Sequence, residues 1–263
     1  MIPEATNLTG DLRKTFDSQA HSYDSHAVVQ HIAARKLADV MHSYSDELNG
    51  GTIMELGAGT GMVTDHLIRL FPQSKKVVTD LSPNMIEYIR EKNYSHSDIV
   101  YELHDANLPH SSMKSARAIV SGFTLQWLVD QVKSVSSWID ALQGPAWVFL
   151  TWPGEGSFPE WKSMSGKSGL AFTGNALPGA DMVDRIVEQS GASLLYHAIE
   201  PVQLEYPLSV DFFRSLRDIG AGVERNKSEG RRNLLKLTRV WDKLSDGQIK
   251  VTYMVHTAVF HKP

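Results

Sequence analysis

The stretch Ile53-Met54-Glu55-Leu56-Gly57-Ala58-Gly59-Thr60-Gly61 decides how the rest of the chain is read. An apolar run of strand length carries a carboxylate near its end. Three glycines then alternate with small residues, and an apolar helical pattern follows from Met62. This order predicts a buried strand, a tight turn and a helix N-terminus. Glycine serves there because the backbone turns through positive φ or comes up against a ligand directly. Two readings of the turn stand side by side: a cradle for a cofactor, and a strand-to-helix turn without chemistry. The dinucleotide register G-x-G-x-x-G does not fit, because Met62 stands where its third glycine belongs. A nicotinamide oxidoreductase is disfavoured on that count.

Farther along, Lys76-Val77-Val78-Thr79-Asp80 is a second short apolar run closed by an acid, with Ser82 as helix cap and Pro83 as first helical residue. An acid about twenty residues after the glycines can accept both ribose hydroxyls of an adenosine. Ile99-Val100-Tyr101-Glu102-Leu103 then leads into His104-Asp105-Ala106-Asn107-Leu108-Pro109. Glu55, Asp80 or Asp105 alone reads as a solvated strand-end acid. Three acids closing successive strands read as a site.

Strands are expected near 52–56, 76–80, 99–103, 117–121 and 146–152, with helices between them. Such alternation implies a parallel sheet with helices on both faces and the ligand outside the carboxyl ends of the strands. Residues 1–48 read as a helical cap, since Val29, Ile32, Ala33, Leu37, Val40 and Met41 recur with helical period. After Trp152 the alternation breaks. Residues 153–180, rich in Gly, Ser, Pro and aromatics (Phe158, Trp161, Phe172), read as a mobile cover over the site. A helix at 181–190 and a strand at 193–200 resume the core, 207–245 is a charged helical insertion, and 249–260 is a last strand. The expectation is an α/β fold with a doubly wound, mostly parallel seven-stranded sheet in one domain over 1–263. Its parts are a cap (1–48), a cofactor-binding half (49–152), a lid-like insertion (153–185) and a C-terminal half (186–263).

Composition narrows the function classes. The chain's 263 residues, 42% of them hydrophobic, suffice for a large core. No apolar run is long enough to cross a bilayer, and no basic-then-apolar leader pattern opens the sequence. The absence of cysteine excludes a disulfide framework, a thiol nucleophile and a thiolate metal site. A formal net charge of -4 argues against general nucleic-acid affinity. The histidines show no H-E-x-x-H spacing, so no metal is expected. A cytoplasmic location, with neither nucleic acid nor membrane as partner, is the resulting expectation.

Further segments carry a resemblance. They are Phe16-Asp17-Ser18-Gln19-Ala20-His21-Ser22-Tyr23-Asp24 near the start, Ser121-Gly122-Phe123-Thr124-Leu125-Gln126-Trp127 at the fourth strand, and Tyr206-Pro207-Leu208-Ser209-Val210 with Phe213-Arg214-Ser215-Leu216-Arg217-Asp218-Ile219-Gly220-Ala221. The E-x-G-x-G-x-G form of Glu55–Gly61 is similar to the first motif of class I S-adenosylmethionine-dependent methyltransferases, which share a Rossmann-like fold. Over nearly its full length the chain resembles one subfamily, the malonyl-[acyl-carrier protein] O-methyltransferases of biotin synthesis. The L-Q-W and S-L-R-D-I-G-A segments are the selective ones. Gly122-Phe123 departs from that family's more usual Asn and small residue, and 153–180, which would line the acyl pocket, matches poorly.

The resemblance implies S-adenosylmethionine as cofactor and S-adenosylhomocysteine as product. Glu55, Gly57, Ala58 and Gly59 would cradle the methionine part, Asp80 the ribose, and Asp105-Ala106 the adenine edge. Leu81 and Met85 would pack against adenine, although Met85 also reads as simple core. Ser121 would meet the reacting centre or cap the next turn. Tyr23 would close the site or pack the cap down. Gln126 and Trp127 would shape the acyl pocket or fill an interface, and Arg214 and Arg217 are candidates for the malonyl carboxylate. The partner would be an acidic acyl carrier protein bearing malonyl. Between Arg214 and Lys243 nine basic residues face four acids, and Arg225, Arg231 and Arg232 are the candidate carrier-protein surface. Rival readings are a methyltransferase for another small acid or quinone precursor, and a non-catalytic binder of the same cofactor.

Overall fold

In chain order the elements are α1 (Val28–His42), α2 (Ser45–Leu48), β1 (Thr52–Leu56), α3 (Met62–Leu70), β2 (Lys76–Asp80), α4 (Pro83–Glu91), β3 (Ile99–Leu103), β4 (Ala116–Gly122), α5 (Gln131–Ala141), β5 (Ala146–Pro153), α6 (Pro159–Lys167), α7 (Asp181–Ser190), β6 (Ser193–Tyr206), α8 (Ser209–Asp218), α9 (Lys227–Leu244) and β7 (Ile249–Lys262). The computed structural model describes residues 17, 27–92, 94, 98–220 and 227–263, with side chains from residue 230 in the last stretch.

The seven strands form one sheet in the order β3-β2-β1-β4-β5-β7-β6. Strands β1 to β5 pair in parallel, and β7 runs antiparallel to both β5 and β6. The central strands are apolar on both faces, because each face meets helices. Period-two alternation sorts their side chains. Ile53, Val120 and Phe149 enter one core with α1 and α3, while Met54, Ile119 and Leu150 enter a second with α5 and α7. Strand order reverses between β1 and β4, so their carboxyl ends open a crevice.

The stripe on α1 is present but one column wider than its periodicity suggests. Val29, Ala33, Leu37 and Met41 are buried, and so are Gln30, Ala34 and Ala38 beside them, while Ile32 and Val40 are only half-buried. Small residues on that second column bring the helix close to α3, β4 and β5.

Two expectations shift. Strand β6 does not stop at 200 but passes through Pro201 to Tyr206, which an edge strand allows because the proline's missing N–H leaves no central ladder bond unmade. Segment 153–180 is in part a packed structure. Phe158, at φ 63°, starts α6, and Trp161 is buried with its ring 4.8 Å from Phe172, 5.1 Å from Phe213 and 5.8 Å from Phe212. The aromatics that suggested a surface cover are instead the contact between α6 and the helical insertion.

Register fixes where that insertion lies. Strand β5 ends at the pair Pro153↔Val255, whereas β6 and β7 stay paired from Pro201↔Met254 to Tyr206↔Ile249. The β6–β7 ribbon therefore runs on past the carboxyl end of β5, and α8 and α9 connect its far ends.

Candidate cofactor and acceptor site

The crevice at the strand ends is a cavity of about 1070 Å³, counting its open mouth. Its floor is the turn after β1. Gly57, Gly59 and Gly61 all have positive φ (68°, 56° and 87°). A Cβ on Gly57 would come within 2.3 Å of Thr124 Oγ1, whereas one on Gly59 would meet nothing within 4 Å. Gly57 is thus required for packing, and Gly59 for an open wall. The turn is pinned from β2: Ala58 N donates to Thr79 O (2.9 Å), and Gly59 N to Asp80 Oδ2 (2.8 Å).

The three acids gather as expected, each held by different partners. Glu55 is 1% exposed and lines the cavity, and its Oε2 accepts from Thr64 Oγ1 at 2.6 Å. Burial pushes its carboxyl up to about 8, with the Asp65 and Asp80 charges adding to the rise and the Thr64 hydrogen bond opposing it. Among the described residues no cation pairs with it. Asp80 is also raised by burial, against donation from the backbone of Ser82, Gly59 and Leu81. Its Oδ2 accepts from Gly59 N and its Oδ1 from Ser82 N. Asp105 Oδ1 accepts from Asn107 N (2.9 Å) and Nδ2 (2.7 Å), which fixes the turn that follows β3.

The strand order divides the cavity into two ends. Asp80, Leu81, Met85, Asp105 and Ala106 belong to the β2–β3 side. Gly122, Phe123 and Thr151 belong to the β4–β5 side, with Gln30 and Ala34 of α1 and Met62 and Val63 of α3. The first end is polar and built from turns. The second is mostly apolar. His104 lies at the first end, its Nε2 2.9 Å from Leu108 O, a geometry in which Nε2 carries the proton. Burial lowers its pKa, so the ring is neutral near pH 7.

The turn that carries Ala106 is anchored from below. Trp138, fully buried in the second core, donates its indole N–H to Ala106 O at 2.9 Å. Trp138→Phe keeps the ring in place but strands that carbonyl. It should lower stability by about 1–2 kcal/mol in urea titrations and loosen the 105–107 turn, seen as faster amide exchange there.

Several candidate residues fall elsewhere. Ser121 is fully buried and donates to Leu56 O (2.9 Å), tying β4 to β1 rather than lining the cavity. Gln126 turns inward to donate to Phe123 O (2.6 Å) and also leaves the cavity wall. Its neighbour Trp127 does line it. Arg214 and Arg217 sit on the outer surface of α8, paired with Asp211 and Asp218, because a helix that buries Phe212 and Leu216 must turn its other face to water. Tyr23 and Arg225 lie outside the described residues. None of 153–180 lines the cavity. Asp17 meets the rim, its Oδ1 accepting from Ser82 Oγ (2.5 Å) and its carbonyl from Asn84 Nδ2 (2.9 Å).

Gln30, Phe123 and Thr124 also line this wall, and none of them is a site candidate in the sequence. A signal existed for Gln30, an amide on the buried column it shares with Ala34 and Ala38. None existed for the left-handed Phe123 (φ 54°).

Comparison with known proteins bears on what such a cavity holds. A family model described as a methyltransferase domain matches residues 53–143. The malonyl-[acyl-carrier protein] O-methyltransferase of Priestia megaterium is 26% identical over 82% of this chain and 83% of its own length. That of Brevibacillus brevis is 26% identical over 91% of each. This chain is a class I S-adenosylmethionine-dependent methyltransferase. The fold agrees with a solved phosphoethanolamine N-methyltransferase of Haemonchus contortus, in complex with S-adenosylhomocysteine, at TM-score 0.58 and 16% identity over 96% of this chain and 60% of the other.

For a class I methyltransferase the cavity is well suited to S-adenosylmethionine. A buried carboxylate with no counter-ion among the described residues suits a cation, and S-adenosylmethionine carries one in its ammonium. A glycine turn admits close backbone contact, and two further acids stand along one end to accept from hydroxyl and amino groups. Among the described residues no helix is long and apolar enough to cross a membrane.

Proposed function

We propose that this methyltransferase converts the free carboxylate of a malonyl group, carried as a thioester on an acyl carrier protein, to its methyl ester, in the cytoplasm and as a step toward biotin. The observation that carries this reading is the match over most of both chains to two relatives with that printed activity. The L-Q-W and S-L-R-D-I-G-A segments support it. When bound, S-adenosylmethionine supplies a methyl group on a positively charged sulfur, with S-adenosylhomocysteine left as product.

In this reading Glu55 holds the cofactor's ammonium, and Gly57, Ala58 and Gly59 face its amino-acid part. Asp80 takes ribose hydroxyls, Leu81 and Met85 flank the adenine, and Asp105-Ala106 takes its edge. The acceptor occupies the β4–β5 end. A carboxylate is ionised and nucleophilic at neutral pH, so the chain needs no general base. Bound S-adenosylmethionine would supply the methyl group, and the residues of the acceptor end would have only to orient the carboxylate, with no proton to move. Opposite charges cancel along the way, so a mostly apolar acceptor end favours the step. Alignment supplies most of the rest, up to roughly 7–11 kcal/mol for well-oriented partners.

The carrier protein would dock on α9. Arg231 and Arg232 are exposed there, on the insertion that the β6–β7 ribbon carries past the strand ends. Reversing Arg225, Arg231 and Arg232 to Glu should raise KM for malonyl-carrier about tenfold at low salt and flatten its salt dependence, with turnover of malonyl-pantetheine and cofactor affinity unchanged. Carrier kinetics equal to wild type would remove this docking surface. The substrate reading itself is tested by mass spectrometry of malonyl-carrier after incubation with S-adenosylmethionine, where one added methyl ester is expected. A second reading, another small carboxylic acid, is favoured by Phe123, a bulky ring in the cavity where the resembling family has a small residue. A panel of acids with labelled methyl donor separates the two.

A further inference from the structure

Among the described residues no fixed cation stands at the acceptor end of the cavity. Among the described residues neither lysine nor arginine lines any part of it, and its charged side chains, Glu55, Asp80 and Asp105, are all acids. A carboxylate bound there needs a hydrogen-bond donor to give it direction. The two hydroxyls on that side are already engaged: Thr151 Oγ1 donates to His256 O (2.8 Å), and Thr124 Oγ1 lies 3.3 Å from the carbonyls of Leu56, Gly57 and Gly122. Gln30 differs. It is 9% exposed, lines the cavity from α1, and its amide makes no hydrogen bond among the described residues. An amide on the cavity wall that no described residue engages is open to hydrogen-bond with what the cavity holds.

We propose that Gln30 is the substrate-positioning residue, its side-chain N–H₂ holding the acceptor-carboxylate oxygen that is not methylated. The inference rests on the carboxyl-methyltransferase reading above. A neutral amide suits this chemistry better than a guanidinium. The acceptor loses its charge as the methyl arrives, so a full positive charge beside it would stabilise the starting carboxylate more than the transition state and slow the step. An amide gives direction with a smaller penalty of that kind. The surrounding wall of Ala34, Met62, Val63 and Phe123 keeps competing water away from the donor.

The test uses full-length protein, malonyl-pantetheine and malonyl-carrier as acceptors, and S-adenosylhomocysteine as binding probe. Gln30→Met preserves side-chain length and removes the donor. It should lower kcat/KM about 10- to 100-fold, mainly through KM, the loss typical of a hydrogen bond to a charged group. Affinity for S-adenosylhomocysteine and melting temperature should stay at wild-type values. Gln30→Glu, which sets one carboxylate against another, should lose more. Direct titration of the S-adenosylhomocysteine-loaded protein should show wild type binding malonyl-pantetheine in preference to its methyl ester, and Gln30→Met binding the two alike. Kinetics within twofold of wild type in Gln30→Met overturn the assignment, as does a parallel loss of S-adenosylhomocysteine affinity, which would make Gln30 a structural residue. If wild-type protein forms no methyl ester from either acceptor, the substrate reading falls and this inference with it. Methyl ester from wild type with unaltered Gln30 variants overturns this inference alone.

Discussion

Glu55→Gln should weaken S-adenosylhomocysteine binding at pH 7 by about 100-fold or more while leaving the fold intact. The size follows from removing one partner of a buried ion pair, about 3 kcal/mol or above. The fold survives because glutamine's carbonyl can accept the same 2.6 Å hydrogen bond from Thr64. The ligand-free proteins should differ in pH dependence. Glu55's carboxyl lies near 8 in the folded chain against an ordinary value of 4.5, chiefly through burial. A carboxyl raised in this way contributes stability that is fully present below pH 4.5 and is lost as pH rises through about 8. Melting curves from pH 5 to 9 should therefore fall more steeply for wild type than for Glu55→Gln, and the variant should be the more stable above pH 8. Saturating S-adenosylhomocysteine should remove much of the wild-type slope, because its ammonium keeps the carboxylate ionised. Parallel curves with and without ligand would contradict this role for Glu55.

Alanine at Gly57 and at Gly59 should produce opposite defects. Both positions have φ near +60°, where an L-residue costs roughly 1–2 kcal/mol. At Gly57 the added methyl also strikes Thr124, whose side chain is held against three carbonyls, so Gly57→Ala should be destabilised by about 3–4 kcal/mol in all. Gly59→Ala meets no protein atom. Its methyl projects into open space at the wall where the cofactor is proposed to lie, so its stability loss should stay near the backbone figure while S-adenosylhomocysteine affinity drops at least tenfold. Urea titrations and calorimetry on the pair check this. Equal losses of affinity and stability at both positions would mean the turn serves packing alone.

Much of this fold can be read from the chain because its strands are short, apolar and each closed by a polar punctuation mark. The runs ending at Leu56, Asp80 and Leu103 coincide with β1, β2 and β3. The same regularity places Glu55, Asp80 and Asp105 at one edge, since parallel strands bring their carboxyl ends together. What the chain hides is orientation. Ser121 carries a site-like position in sequence, but β4 turns its hydroxyl onto Leu56 O. Arg214 and Arg217 lie in a selective segment, but the buried column of α8 belongs to Phe212 and Leu216. Gln30 looks like an interruption in an apolar stripe, and only the packing of α1 over β4 and β5 makes it a wall of the cavity. Segment 153–180 reads as a surface cover because Gly, Ser and Pro are also what a tightly turned, aromatic-rich packing segment needs.

The decisive measurement is a crystal structure of the protein grown with S-adenosylhomocysteine. The ligand's ammonium should lie on Glu55, its amino-acid part along the Gly57–Gly59 turn, its ribose on Asp80 and its adenine at Asp105-Ala106, with the sulfur facing the end that holds Gln30. Ligand bound elsewhere, or bound in the cavity with its amino group away from Glu55, would contradict this placement.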